Sequence, residues 1–92
     1  MIVAEAIARA LVAEGVTMAA GLAGTHIGKL LDAIAMREEI SLMYARQERA
    51  AFDMADGYAR ASGRPAVVFT DSGPAAANTM GGLVNSWGDS TP

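Results

Sequence analysis

The chain begins with apolar residues that recur at helical spacing. Within residues 2–14 the charged side chains lie away from the apolar stripe, and this pattern predicts an amphipathic helix. Gly15 follows directly, and glycine is the residue that most often ends a helix in left-handed backbone. A helix over residues 2–14 is therefore the first predicted element.

Short apolar runs and longer amphipathic segments alternate along the rest of the chain. The short runs have the length of buried strands, and glycine or proline lies near their ends. The predicted strands cover residues 16–22, 40–45 and 66–70. The predicted helices begin at Thr25 or His26, cover residues 47–62, and cover residues 75–87 after a turn at residues 71–74. We expect Gly63 to end the helix over residues 47–62, as Gly15 ends the first helix.

The order of these elements, α-β-α-β-α-β-α, determines the fold class. Strands that alternate with helices pair in parallel, with helices on both faces of the sheet. We therefore predict a three-layer α/β/α fold with a parallel sheet. About three strands make that sheet incomplete, and we expect one of its edges to be open.

Composition excludes several classes of function. The net charge is −3, and seven scattered basic residues cannot form the patch that nucleic acid requires. The same shortage argues against a basic membrane-surface helix. The absence of cysteine excludes disulfides and thiolate metal sites. The longest apolar runs fall short of a membrane span and carry no secretory pattern, so we expect a cytoplasmic protein.

Ligands in open parallel sheets bind at the carboxyl ends of the strands. Three loops qualify in this chain, namely residues 21–26, 44–49 and 70–78. A phosphate-binding loop is a remote alternative in the first of them. Its glycines do not fit the dinucleotide spacing, and Leu30 stands where a P-loop needs serine or threonine.

Polar residues in the three loops allow two interpretations each. Glu48 is either a helix-start acid favoured by the helix dipole or a partly desolvated carboxyl whose protonated form is favoured. His26 is either a capping or surface residue or a catalyst. In residues 72–78, Ser72 either caps the next helix, or the backbone amides or Asn78 line a pocket.

Four segments resemble those of thiamine-diphosphate-dependent enzymes and occur in that family's order. Residues 46–60, RQERAAFDMADGYAR, resemble RHExxAxxxAxGYAR, and residues 72–78, SGPAAAN, resemble SGPGxxN. Residues 21–24, GLAG, are similar to GxPG. Residues 89–92, DSTP, resemble a family segment with Asp first, Ser or Arg second, Thr or Ile third, and Pro last. On these motifs the chain resembles the N-terminal pyrimidine-binding domain of the acetolactate synthase, pyruvate decarboxylase and benzaldehyde lyase superfamily.

The motifs also depart from the family pattern. Ala23 replaces the usual proline, Gln47 stands where histidine is frequent, and Ala75 replaces a glycine. None of these changes removes the glutamate of the motif. The pair Thr25-His26 most resembles the benzaldehyde lyase and cyclohexanedione hydrolase branches, in which a histidine at the matching place handles substrate protons.

The resemblance implies a role for each candidate residue. Glu48 would hydrogen-bond the aminopyrimidine ring of thiamine diphosphate and help to activate the thiazolium carbon. His26 would be a second catalytic residue that carries substrate protons. No metal ligand is implied, and the implied cofactor-binding residues are Glu48, Gly24, Thr25, Ser72, Gly73 and Asn78.

The family's domain is longer than this chain. In the family, further strands and helices follow, then a middle domain and a diphosphate-binding domain whose Gly-Asp-Gly motif holds Mg²⁺. No Gly-Asp-Gly occurs here. We therefore expect residues 1–92 to be a partial, truncated N-terminal domain that is inactive alone.

The resemblance also implies what the parent enzyme does. We expect a lyase or transferase that cleaves or forms C–C bonds beside a carbonyl of a 2-oxo acid or aldehyde. The implied kinds are a decarboxylase, an acetolactate synthase-like enzyme and a benzaldehyde lyase-like carboligase. The implied assembly is a homodimer or homotetramer formed through this domain. The alternative is a catalytically inactive fragment that acts only as an interaction module.

Overall fold

The computed structural model describes residues 2–92, and helices alternate with strands as the sequence predicts. Each strand is shorter than the apolar run that predicted it. None of the helices in this part of the chain is long and apolar enough to cross a membrane. The elements are α1 Val3–Ala13, β1 Met18–Gly21, α2 Gly28–Ala35, β2 Ser41–Tyr44, α3 Glu48–Ser62, β3 Val67–Phe69 and α4 Pro74–Gly88.

The three strands form one parallel sheet in the order β2-β1-β3. Gly21, the last residue of β1, lies in register between Tyr44 and Phe69. The two rings meet edge to face across the glycine, with centroids 6.1 Å apart. A Cβ on Gly21 would lie 2.6 Å from the Phe69 ring and would also collide with the Phe69 carbonyl. Glycine is therefore required at the carboxyl end of the central strand.

Alternating side chains of β1 separate two helical layers, because successive strand residues point to opposite faces. Ala19 belongs to the core beneath α1 and α2, whereas Met18 and Ala20 pack against α3. This arrangement confirms the incomplete three-layer α/β/α fold. The first core contains Ala8, Ala19, Leu31, Ile34, Ile40 and Phe69, and the second contains Met18, Ala20, Ala51 and Ala55.

Helix α4 packs on α3, outside the layer that covers the sheet. The two helices approach closely because Gly82 is buried against Phe52, where a Cβ would lie 2.6 Å from the ring. The opposite side of α4 stays open to solvent. Four large apolar residues of this helix are exposed, namely Met80, Leu83, Val84 and Trp87.

The predicted helix ends are confirmed at two glycines. Gly15 follows α1 and Gly63 caps α3, and both have positive φ, at 84° and 71°. Left-handed backbone costs glycine little, so these residues stop their helices where the sequence places the stop. At the other end of α3, the Gln47 side chain accepts hydrogen bonds from the backbone N–H groups of Arg49 and Ala50.

One sequence prediction about a helix start is wrong. Helix α2 begins at Gly28 rather than at Thr25 or His26, because the Ile27 N–H closes a turn onto the Gly24 carbonyl. The first helical bond of α2 therefore comes only afterwards, from Leu31 to Ile27.

Of the two interpretations of Ser72 that the sequence left open, the cap of α4 is not found. Gly73, not Ser72, is the N-cap residue, and no side chain caps this helix. Gly73 has φ 71° and ψ −125°, a conformation open essentially to glycine alone. Ser72 lies one residue too early to cap, and its backbone N–H donates to the Asp71 carboxylate instead. His26 likewise caps no helix and is exposed.

Candidate functional site

The carboxyl ends of the three parallel strands lie at one edge of the sheet. Each strand is followed there by a loop that carries candidate residues, because all three strands run in the same direction. The β1–α2 loop holds Gly24, Thr25 and His26. The start of α3 holds Glu48, and the β3–α4 loop with the first turns of α4 holds Ser72, Gly73 and Asn78.

Glu48 and Asn78 are in direct contact, although 30 positions separate them in the chain. The Asn78 side-chain amide donates to Glu48 Oε1 at 2.9 Å. Glu48 is the first residue of α3 and is half-buried, whereas Asn78 is exposed on α4. Within residues 2–92 no hydrogen bond reaches Glu48 Oε2. Among the described residues, one carboxyl oxygen thus has a hydrogen-bond partner and the other has none.

A polar network holds α4, and with it Asn78, against α3. The Asp56 carboxylate accepts a hydrogen bond from the Ser86 hydroxyl at 2.6 Å and another from Arg60 Nε at 2.8 Å. The same guanidinium reaches Asp89 at 2.8 Å. The Ser86 hydroxyl and the Arg60 guanidinium lower the pKa of Asp56 below its ordinary value. The network therefore links one end of α4 to α3 and favours the ionised carboxylate.

His26 pairs with a residue that the sequence analysis did not single out. Its Nδ1 lies 2.9 Å from Asp71 Oδ1, whereas the Thr25 hydroxyl is 3.5 Å from the same nitrogen. The Ser72 backbone N–H donates to Asp71 at 2.9 Å and, together with His26, lowers the pKa of this carboxyl below its ordinary value. A Cβ on Gly24 would lie 2.6 Å from Asp71 Cβ, so Gly24 leaves space for the acidic side chain.

The candidate residues therefore form two groups at this edge. One group is Glu48 with Asn78, and the other is His26 with Asp71, bordered by Thr25 and by the backbone of Gly24 and Ser72. No hydrogen bond between described residues joins the two groups. The signal that could have identified Asp71 is its position, because an acidic residue comes directly after an apolar strand at the ligand edge.

An open groove of about 540 Å³ lies between α1 and α2 and contains none of the candidate residues. Charged side chains of both signs line it, among them Glu5, Arg9, Lys29 and Asp32. Such a mixture produces no field that would select one class of ligand. No group of three or more His, Asp or Glu residues able to hold a metal ion occurs within residues 2–92.

The fold is an incomplete parallel α/β domain with polar residues gathered at the carboxyl edge of its sheet, and comparison with known proteins gives its family. The whole chain, residues 1–92, matches the family described as "Thiamine pyrophosphate enzyme, N-terminal TPP binding domain". The chain therefore belongs to this family.

Individual relatives are acetolactate synthase subunits. The chain is 36% identical over 89 residues to the acetolactate synthase large subunit of Buchnera aphidicola. It is 38% identical over 89 residues to the isozyme 3 large subunit of Escherichia coli, and 40% identical to a probable large subunit of Methanocaldococcus jannaschii. Each match covers 97% of this chain, but the chain spans only 15–16% of the length of these relatives.

Proposed function

We propose that this chain forms the pyrimidine side of a thiamine diphosphate site, as part of a longer enzyme that cleaves or forms C–C bonds beside a carbonyl. The single observation that carries the proposal is the hydrogen bond from Asn78 to Glu48 at the ligand edge of the sheet. Membership of the thiamine pyrophosphate family supports the cofactor, and the acetolactate synthase relatives support the class of reaction.

The chemistry of Glu48 suits the aminopyrimidine ring. A ring nitrogen needs one partner that can either accept or donate a proton, and a carboxyl group can do both. The Asn78 amide fixes one oxygen and so directs the other toward the ligand edge. Partial burial of Glu48 reduces competition from water. We assign Glu48 as the carboxyl that activates the cofactor, with Asn78 as its partner.

The other candidate residues shape the loops around that carboxyl. Gly73 presents backbone without a side chain, which allows a flat ligand to approach closely, whereas Gly24 leaves room in its loop for the Asp71 carboxyl. Thr25 and Ser72 offer hydroxyl groups beside them, and His26 offers a ring nitrogen for proton transfer to or from the substrate. The substrates that suit this chemistry are small 2-oxo acids or aldehydes.

Thiamine diphosphate, when bound, would supply the electron sink for the reacting carbonyl carbon, and the protein would supply orientation and electrostatics. Glu48 and Asn78 would hold only the pyrimidine end. We assign the diphosphate and Mg²⁺ to residues outside this chain, as in the family that it resembles. Assembly into a homodimer or homotetramer through this domain is part of the proposal, and so is a cytoplasmic location.

The exposed apolar face of α4 favours one alternative, a catalytically inactive interaction module. Trp87 is 83% exposed and Val84 is 71% exposed on this helix. Apolar residues clustered in this way mark protein contact surfaces. A module of this kind would use the fold without the cofactor.

Titration calorimetry with thiamine diphosphate and Mg²⁺ separates the two functions. We expect weak or no binding by residues 1–92 alone and clear binding once a diphosphate-binding domain of the family is added. Glu48→Gln should weaken the second titration, whereas Glu38→Gln, at an exposed position, serves as the control. Absence of binding with the added domain, while that domain still associates with the chain, would favour the interaction module.

A further inference from the structure

Asp71 is the best-anchored acidic side chain at the ligand edge. Its side chain is 24% exposed, compared with 74% for that of its partner His26. The carboxyl group lies against the backbone of Gly24 and accepts the N–H of Ser72 at 2.9 Å. Contacts on two sides therefore fix the orientation of the carboxylate, and the histidine is the more exposed member of the pair.

The chemistry of the pair determines which histidine nitrogen carries the proton. An ionised carboxylate has only acceptor atoms, so His26 Nδ1 must be the donor at 2.9 Å. The Ser72 N–H, followed by His26, lowers the pKa of Asp71 and so favours this ionised form. When Nδ1 of a neutral imidazole is protonated, Nε2 is the acceptor.

We propose that Asp71 is a positioning residue that holds His26 in the Nδ1-protonated tautomer and leaves Nε2 free as a proton acceptor at the ligand edge. The proposal rests on the proton-transfer role given to His26 above. It adds that the role depends on Asp71, and that Gly24 is side-chain-free to make room for the carboxyl. Free imidazole in water favours the opposite tautomer, so the protein must supply this preference.

The proposed arrangement defines one proton path. A hydroxyl of the substrate gives its proton to Nε2, and the electron pair stays on the substrate oxygen. The resulting imidazolium keeps its Nδ1–H bond to Asp71, which stabilises the positive charge. In the reverse direction the same Nε2 returns the proton to the oxygen. In Ser-His-Asp enzymes a carboxylate fixes the histidine tautomer in this way, and exchanging it for an amide produces the wrong tautomer.

Nitrogen-15 NMR of the full 92-residue chain tests the proposal directly. The chain contains one histidine, so every imidazole signal comes from His26. The spectra are recorded at about pH 9, so that the two tautomers of the neutral ring are compared. We expect the Nδ1-protonated tautomer to dominate in the wild type. In Asp71→Asn the tautomer ratio should move toward Nε2–H by roughly five- to tenfold, which is the scale of one ordinary intramolecular hydrogen bond at an exposed site.

Two further variants keep the test decisive. Gly24→Ala keeps Asp71, but the added methyl group pushes the Asp71 carboxylate away from His26. This variant should therefore shift the tautomer ratio in the same direction as Asp71→Asn. Asp53→Asn removes an equal charge from an exposed i,i+4 pair with Arg49 and should leave His26 unchanged. An Nε2-protonated ring in the wild type, or an equal ratio in wild type and Asp71→Asn, would overturn the proposal. The NMR samples contain no cofactor, so a wrong tautomer prediction is distinguishable from a failure of the chain to bind thiamine diphosphate.

Discussion

Three glycines in α3 and α4 test how closely these helices pack, which determines whether Asn78 can reach Glu48. An added Cβ at Gly57 would meet nothing within 4 Å. At Gly81 it would lie 2.6 Å from Nη1 of Arg49, the end of a flexible side chain. At Gly82 it would lie 2.6 Å from Cδ1, 2.8 Å from Cγ and 3.1 Å from Cβ of Phe52. All three glycines are inside helices, so alanine gains the same helix propensity at each.

The expected magnitudes follow from these neighbours. Gly57→Ala should raise the free energy of unfolding by about 1 kcal/mol, the difference in helix propensity between the two residues. Gly81→Ala should come close to that value, because the guanidinium can swing aside. Gly82→Ala gains the same helix propensity. The Cβ and Cγ atoms of Phe52 lie close to the backbone and cannot move freely, so overpacking costs about 1–3 kcal/mol. Its net effect should lie between about 0 and −2 kcal/mol.

Urea denaturation followed by circular dichroism measures the series. The difference in the free energy of unfolding between Gly57→Ala and Gly82→Ala reports the cost of overpacking at the helix interface. For a chain of this size each kcal/mol also corresponds to a change of about 4–8 °C in Tm. If Gly82→Ala stabilised the protein as much as Gly57→Ala, the close contact of α3 and α4 would be refuted, and with it the approach that joins Asn78 to Glu48.

Three further predictions concern the cap of α3, the polar network and the histidine. Gln47→Ala removes the acceptor of two backbone N–H groups, at 2.7 and 3.2 Å, and should lower the free energy of unfolding by about 1 kcal/mol; an unchanged urea midpoint would contradict this. The folded-state pKa of Asp56 lies below the ordinary 3.8, so its stabilising effect is present above about pH 4 and lost as the pH falls through the lowered value. Asp56→Asn should therefore flatten the pH dependence of the urea midpoint in acid, and an equal slope in both proteins would exclude this carboxylate as a cause. His26→Ala in the complete enzyme should leave cofactor affinity nearly unchanged and slow substrate proton transfer, and stopped-flow turnover at wild-type rates across pH would reduce His26 to a surface residue.

The order of elements could be predicted because local patterns determine it. Apolar stripes at helical spacing and short apolar runs identified each element, and Gly15 and Gly63 marked two helix ends correctly. Glu48 stood out because a carboxyl at a strand-to-helix junction is visible in local sequence. Each of these features depends on residues within a few positions of one another.

The contacts between loops could not be predicted in the same way. Asp71 and His26 are 45 positions apart, and only the parallel sheet brings their loops together. The late start of α2 follows from a turn that ends on the Gly24 carbonyl, and residue preferences at Thr25 and His26 give no sign of it. The docking of α4 on α3 depends on the missing side chain at Gly82, which appears in the sequence only as an unfavourable helix residue.

Hydrogen–deuterium exchange at the thiazolium carbon of bound thiamine diphosphate tests most directly whether Glu48 activates the cofactor. The measurement compares the complete enzyme that carries this domain with its Glu48→Gln variant, quenched in acid and read by proton NMR, and Glu38→Gln is the matched control. An amide keeps the shape of the carboxyl group but cannot share its proton, so the exchange rate in Glu48→Gln should fall by about 10²–10⁴-fold, while the control exchanges at the wild-type rate. Exchange in Glu48→Gln as fast as in the wild type would contradict the assignment of Glu48 and the proposed function that depends on it.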